Sequence, residues 1–112
     1  MRKRINNIVN HAEVSEKAIE RYLVKRVRAA GGVCLKYANP NMVGYPDRLI
    51  LLPDGYAMWV EVKSKGKKPA KIQAIRQAEL ESLGQYVNTV DNKESVDDIM
   101  ETYNNWRAEH DI

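Results

Sequence analysis

Two carboxylates and a lysine are predicted to lie together on two neighbouring strands. Asp47 precedes one apolar segment, and Glu61 and Lys63 end the next. Because successive strand residues point to opposite faces, Glu61 and Lys63 share one face, about 7 Å apart. Carboxylates with a main-chain carbonyl suit Mg²⁺ or Mn²⁺, and a nearby lysine can stabilise developing charge. The pattern predicts metal-assisted hydrolysis; alternatively, Asp47 caps its loop and Glu61 pairs with Lys63 at a solvated sheet edge.

Two further carboxylates lie where an amphipathic helix should be apolar. At about 100° per residue, one face of a helix collects the apolar residues Ile19, Leu23, Val24, Val27 and Ala30. Glu16 and Glu20 fall inside that face. Glu16 has a simple explanation, because a carboxylate in the first turn complements the helix dipole. Glu20 lies beyond the first turn, so its carboxylate must be paired, protonated or bound to a cation.

Turn signals and hydrophobic periodicity predict the elements that position these residues. A helix over 16–30 follows the N-cap Ser15 and stops at Gly31-Gly32. Pro53-Asp54-Gly55 predicts a tight turn, and therefore an antiparallel hairpin. The order α-β-β-β-α-β-α predicts an α/β sandwich around a small mixed sheet. The remaining predicted elements are strands over 33–37, 48–52, 56–63 and 86–90 and helices over 70–83 and 94–108.

Composition bounds the kind of protein. A chain of 112 residues with 44% hydrophobic residues makes one domain with a packed core. No apolar run approaches the about 18 residues of a membrane span, and Met1-Arg2-Lys3-Arg4 does not lead into a signal peptide. The single Cys34 excludes a disulfide framework and a cysteine-rich zinc site, and it fits a reducing cytoplasm. The two histidines lie near opposite ends, which argues against a histidine-based metal site.

Charge is unevenly distributed along the chain. Residues 1–90 hold 16 Lys and Arg against 8 Asp and Glu, whereas residues 91–112 hold 2 against 7. An electropositive body suggests a polyanionic partner, with a mixed solvated surface as the equal alternative. The predicted phosphate contacts are Lys65, Lys67, Lys68 and Lys71, on the loop after the third strand, although this loop could simply be flexible and solubilising.

Other side chains have two interpretations each. Arg76 is a fifth predicted nucleic-acid contact. It falls within the apolar arc of the second helix, where it either reaches the site or extends to solvent. Tyr37, Tyr45 and Trp59 could stack on bases, but core packing is the commoner fate of strand aromatics. The last helix, with Tyr103, packs on the sheet or joins a partner subunit.

Several motifs together resemble a known nuclease family. Pro46-Asp47 followed by Glu61-Val62-Lys63 resembles the PD-(D/E)xK nuclease superfamily, which has an α-β-β-β-α-β core. Within it, the chain looks like the short stand-alone phage and bacterial members of the virus-type replication-repair nuclease (VRR-NUC) domain. The resemblance covers residues 14–91 and leaves an N-terminal arm, 1–13, and a C-terminal helical extension, 92–112. Its further motifs are Glu16-Lys-Ala-Ile-Glu20-Arg-Tyr-Leu23, Gly31-Gly32, Lys36-Tyr37, Gly44-Tyr-Pro46-Asp47-Arg48, Gly66-Lys-Lys-Pro69 and Gln73.

The resemblance implies a restriction-endonuclease-like three-layer sandwich and a function. That function is an Mg²⁺- or Mn²⁺-dependent, structure-specific DNA endonuclease similar to Holliday-junction resolvases. A non-catalytic nucleic-acid-binding module and a sequence-specific restriction-type nuclease are the alternatives. The resemblance also implies a role for individual residues. Asp47, Glu61 and the carbonyl of Val62 match the metal ligands of the family. Glu20 matches a further metal contact, with Glu16 as its rival for that role. Lys63 matches the catalytic lysine, and Gln73 matches a glutamine at the border of the active site.

A homodimer is expected because one domain offers one active site. Paired cuts on the two strands of a four-way junction need two sites, and a symmetric homodimer supplies both. The N-terminal arm or the last helix would supply the apolar contact. The candidate contact residues are Ile8, Val9, Tyr103 and Trp106. The expected location is the cytoplasm of a bacterium, with the protein encoded by the bacterium or by a phage.

Overall fold

The computed structural model describes residues 15–112, and the predicted arm 1–13 lies outside this range. The order of elements is the predicted one, α-β-β-β-α-β-α, and every boundary lies within two residues of its prediction. No helix in the described range is long and apolar enough to cross a membrane. The elements are α1 (Glu16–Ala29), β1 (Val33–Lys36), β2 (Arg48–Leu52), a 3₁₀ turn (Pro53–Gly55), β3 (Tyr56–Val62), α2 (Lys71–Ser82), β4 (Val87–Val90) and α3 (Lys93–Glu109).

Local signals account for both ends of α1. The Ser15 hydroxyl accepts a hydrogen bond from Ala18 N at 3.1 Å, which satisfies a free amide of the first turn. Gly31 adopts φ +87° directly after the helix, in the left-handed region that glycine enters at little cost. Of the apolar face predicted for this helix, Ile19, Leu23 and Val27 are fully buried, and Val24 and Ala30 are half-buried. Hydrophobic burial therefore sets the orientation of the helix.

The four strands form one mixed sheet in the order β1-β2-β3-β4. β1 pairs antiparallel with β2, β2 pairs antiparallel with β3, and β3 pairs parallel with β4. The predicted hairpin is confirmed, and its turn places Asp54 and Gly55 at φ +68° and +78°. Strand ends that carry Asp47 and Glu61 are therefore neighbours in the sheet.

The core lies between one face of the sheet and the pair α1 and α3. Ile19 of α1, Ile50 of β2, Val60 of β3 and Val96 of α3 belong to one buried cluster. Tyr103 is also fully buried there, beside the rings of Tyr56 and Trp106, so the expectation that Tyr103 contacts a partner subunit is wrong. A ring with no exposed surface has nothing to offer a partner subunit. The last helix therefore packs on the sheet.

The other face of the sheet is covered only in part. α2 lies beside β4 and buries Leu80, whereas its Ile72 and Ile75 are 40% and 51% exposed. Val33 of β1 and Leu51 of β2, which are cross-strand partners, remain exposed. An α1–α3 layer, the sheet and α2 give the predicted three-layer α/β sandwich.

Candidate active site

The β2–β3 hairpin brings the predicted acidic pair together. Arg48 pairs with Val60 in the hairpin register, which places Asp47 opposite Glu61 at the next position. Asp47 Oδ1 accepts a hydrogen bond from the backbone N–H of Val62 at 3.2 Å. This bond ties the Asp47 side chain to the end of β3, next to Glu61.

Glu61 has one engaged carboxylate oxygen and one free one. Its Oε1 lies 3.4 Å from Lys63 Nζ and accepts a hydrogen bond from Gln73 Nε2 at 3.0 Å. Glu61 is only 5% exposed, and its Oε2 is buried with no hydrogen-bond partner among residues 15–112. A buried carboxylate oxygen without a partner is costly, so the site has the chemistry to accept a cation.

The electrostatics of the pair favour a neutralising partner. Burial raises the pKa of the Glu61 carboxyl, and the neighbouring charge of Asp47 raises it further. Burial also raises the pKa of Asp47; the Val62 amide opposes this effect and Glu20 adds to it. Two desolvated carboxylates that repel each other bind a divalent cation or a proton more readily than isolated ones.

Glu20 is paired, which is one of the alternatives that its helix position left open. Its Oε1 forms an ion pair with Arg48 Nη2, and Arg48 also donates a hydrogen bond to the Cys34 carbonyl at 3.3 Å. Arg48 is 8% exposed, whereas Glu16 lies exposed in the first turn of α1. Glu20, rather than its rival Glu16, therefore faces the site, in a cleft of about 200 Å³ lined by Glu20, Lys36, Tyr37, Ala38, Asp47 and Arg48.

The predicted meeting of three carboxylates at one point does not occur in the described part of the chain. No group of three His, Cys, Asp or Glu residues between 15 and 112 is placed to hold a metal ion. Asp47 and Glu61 lie together, and Glu20 shares the cleft with Asp47 but is held by Arg48. The residues that fit a hard cation are thus the acidic pair, whose free oxygen is Glu61 Oε2.

Comparisons with known proteins identify the family. A phage protein, “Putative nuclease p44” of Acyrthosiphon pisum secondary endosymbiont phage 1, is 40% identical over 81 residues, which cover 72% of this chain and 87% of that protein. A solved structure described as a VRR_NUC domain matches with a TM-score of 0.76 and 31% identity, over 80% of this chain and 98% of that one. The chain belongs to the VRR-NUC nuclease family. No protein-family model matches it.

The loop before Asp47 is fixed against α2 in this VRR-NUC domain. Gly44 adopts φ +98°, and a Cβ at this position would lie 2.8 Å from Ile72 Cγ1. Arg76 Nε donates a hydrogen bond to the Val43 carbonyl at 3.0 Å, and its guanidinium lies 4.9 Å from the centre of the Tyr45 ring. The Arg76 guanidinium is therefore occupied by contacts that hold the loop, which argues against its predicted contact with nucleic acid.

Aromatic packing extends from this loop to the sheet. The Tyr37 ring lies 5.0 Å from that of Trp59 and 6.2 Å from that of Tyr45, edge to face in both cases. Trp59 lies two residues before Glu61 and so shares its face of β3. The three rings pack on each other beside the acidic pair, so packing is the observed role of these aromatics.

The basic loop of the VRR-NUC domain directly follows β3, the strand that carries Glu61. The four lysines predicted to contact phosphate are exposed, and none forms an ion pair within residues 15–112. Their ammonium groups are free to meet a polyanion. These residues are Lys65, Lys67, Lys68 and Lys71.

The sequence prediction missed the role of Arg48, and the position of a cavity does not reveal the site. Arg48 is the buried partner of Glu20, and the signal that could have found it is its placement on the same strand face as the buried Ile50. A cavity of about 640 Å³ lies at the other end of the sheet beside Tyr86 and Trp106. It contains none of the acidic pair, the lysine or the glutamine, so it is separate from the candidate active site.

Proposed function

We propose that this VRR-NUC domain is an Mg²⁺- or Mn²⁺-dependent, structure-specific DNA endonuclease that hydrolyses phosphodiester bonds. The observation that carries the proposal is the state of Glu61, a buried carboxylate beside Asp47 with one oxygen that has no partner within residues 15–112. A structural ion pair alone would leave both oxygens satisfied, because unpaired buried polar atoms are costly. The family relationship supports a nuclease role for the same residues.

The residues divide into ligands and supporting groups. Asp47, Glu61 and the carbonyl of Val62 would hold the cation, with Glu20 at the edge of the site. When bound, the cation activates water and neutralises phosphate charge. Lys63, whose ammonium lies 3.4 Å from Glu61 Oε1, is placed to stabilise negative charge on the phosphate.

Substrate binding rests on charge and shape in this proposal. The exposed lysines of the loop over residues 64–69 and the start of α2 would contact phosphates rather than base edges. Such contacts carry little sequence information, so the structure of branched DNA would be recognised instead. This argument favours a four-way junction or another branched DNA over a fixed duplex sequence.

A homodimer would pair two active sites for cuts on two strands. The exposed apolar face of β1 and β2 supports association, since Val33 and Leu35 are 50% and 45% exposed there. The arm residues Ile8 and Val9 lie outside the described range and remain candidates. Light scattering at tens of micromolar should give twice the monomer mass, and Leu35→Glu should lower it. The proposed setting is the cytoplasm of a bacterial cell.

The decisive experiment compares cleavage of branched and linear DNA under single turnover, with Mg²⁺, Mn²⁺ or chelator. Wild type should cut a four-way junction only with a divalent cation. Asp47→Asn and Glu61→Gln should each abolish cutting, because each removes a charge without removing volume. Glu101→Gln, an exposed carboxylate on α3, is the matched control and should cut at the wild-type rate.

Each alternative function has its own signature in that experiment. Junction binding without cleavage under any metal condition would indicate a non-catalytic nucleic-acid-binding module. Cleavage of plain duplex at fixed sites would indicate a restriction-type nuclease. Full activity of Glu61→Gln would contradict the assignment of the acidic pair.

A further inference from the structure

Arg48 connects the first helix to the strand that follows Asp47. Its guanidinium is anchored by the Cys34 carbonyl at 3.3 Å and pairs with Glu20 Oε1. Its side chain is 9% exposed, against 26% for that of Glu20. Because arginine is always charged and its fork is planar, this arrangement fixes both the charge and the orientation of the Glu20 carboxylate.

Without Arg48, Glu20 would be an uncompensated carboxylate beside Asp47. Glu20, Asp47 and Arg48 line the same cleft, and the charges of Glu20 and Arg48 act on Asp47 with opposite sign. Arg48 engages only Oε1 of Glu20 among the contacts within residues 15–112. The carboxylate is therefore held in place through one of its two oxygens.

We propose that Arg48 is a positioning residue that holds Glu20 at the edge of the cleft and keeps it out of direct contact with the divalent cation. Glu20 then orients water near the site, while Asp47 and Glu61 provide the carboxylate ligands. The inference rests on the proposed metal-dependent function. Its signature is a variant that binds metal more tightly yet cuts more slowly, which simple loss of structure would not produce.

Calorimetric titration of the DNA-free protein with Mn²⁺ tests the binding half. Arg48→Met releases Glu20 toward the cation, so the Kd should fall by about threefold or more. Arg48→Lys keeps a positively charged side chain beside Glu20, so the Kd of this variant for Mn²⁺ should stay within about twofold of wild type. Arg26→Met is the matched control, because Arg26 is an α1 arginine paired with Asp97 of α3, away from the cleft; it should leave the Kd unchanged.

Single-turnover cleavage at saturating Mn²⁺ tests the positioning half. Arg48→Met and Glu20→Gln should each slow cutting by about 10- to 100-fold, the range for loss of a group that orients a metal site. The double variant should be no slower than the slower single variant, because both act through one carboxylate. The proposal is overturned if the two substitutions slow cutting additively. It is also overturned if Arg48→Met tightens Mn²⁺ binding equally in the wild-type protein and in Glu20→Gln, because Arg48 would then act through its charge alone.

Glu20→Gln tests whether Glu20 contacts the metal directly, even if a thermal melt shows that Arg48→Met is unfolded. A carboxylate kept away from the cation can be neutralised without loss of affinity, so Glu20→Gln should bind Mn²⁺ within about twofold of wild type. A tenfold weaker Kd would make Glu20 a direct ligand and overturn the proposal. If wild type neither binds Mn²⁺ nor cuts DNA, the metal-dependent function itself fails, which is a separate result.

Discussion

Gln73 on α2 donates a hydrogen bond of 3.0 Å to Oε1 of Glu61 on β3. The other end of the same amide accepts a hydrogen bond from the Ala70 N–H at 2.8 Å, at the start of the helix. One side chain thus both caps α2 and orients the buried carboxylate. Since α2 buries little apolar surface of its own, this contact couples its position to the active site.

Replacing Gln73 should affect rate and stability together. Gln73→Leu removes the donor to Glu61 and the acceptor for Ala70, so cutting should slow about tenfold or more and unfolding free energy should fall by about 1 kcal/mol. Gln77→Leu, one turn along α2, loses only a contact to Thr89 at 3.1 Å and is the control. Single-turnover kinetics and thermal melts check both expectations; equal rates for the two variants would contradict the orienting role.

Removing the Glu61 charge should stabilise the metal-free protein at neutral pH. The folded-state pKa of Glu61 is raised by burial and by Asp47, so the folded state holds its proton to higher pH than the unfolded state. The free energy of unfolding therefore falls as pH rises from the unfolded-state pKa of Glu61 to its folded-state pKa. Above the folded-state pKa, the ionised Glu61 destabilises the fold to its full extent. In chelator at pH 7, Glu61→Gln should melt higher than wild type, and the difference should shrink on acidification. A lower melting temperature for Glu61→Gln at pH 7 would contradict this electrostatic account.

Lys63 and Lys68 should separate catalysis from binding. Lys63→Ala removes the ammonium beside Glu61, so the single-turnover rate should fall about 100-fold, as for loss of one preorganised donor. Lys68→Ala removes an exposed charge on the basic loop, so binding should weaken and the salt slope should change by about one unit. Rates at saturating protein and binding titrations at several salt concentrations measure the two effects. If Lys63→Ala cuts at the wild-type rate at saturating protein, Lys63 is only an ion-pair partner of Glu61 and has no catalytic role.

The close approach of Gly44 to α2 should make it sensitive to a single methyl group. Gly44→Ala adds a Cβ 2.8 Å from Ile72 Cγ1 at φ +98°, so both contact and backbone strain oppose it. Gly84→Ala is the control for strain alone, because φ is +81° and nothing lies within 4 Å of the added Cβ. Gly84→Ala should cost about 1 kcal/mol of unfolding free energy, and Gly44→Ala should cost more and also slow cutting, since its loop carries Asp47. Denaturant unfolding measures the difference, and equal costs would show that the loop moves freely.

Much of this protein is determined by short-range signals that can be read from the sequence. Ser15 and Gly31 bound α1, and Pro53-Asp54-Gly55 closes the hairpin, because caps and turns depend on a few adjacent residues. Strand alternation then places Glu61 and Lys63 on one face, and the hairpin places Asp47 beside Glu61. The sequence by itself therefore determined the element order and the central acidic pair with its lysine.

Only the tertiary structure decided which distant charges satisfy each other. Periodicity showed that Glu20 needs a partner, but Arg48 is 28 positions away on another element and was not identified as that partner. Arg76 and Tyr103 are used for loop anchoring and core packing, because helix rotation and docking determine which groups they meet. Such contacts depend on how α1, α2 and α3 pack against the sheet, and one-dimensional patterns carry no information on that packing.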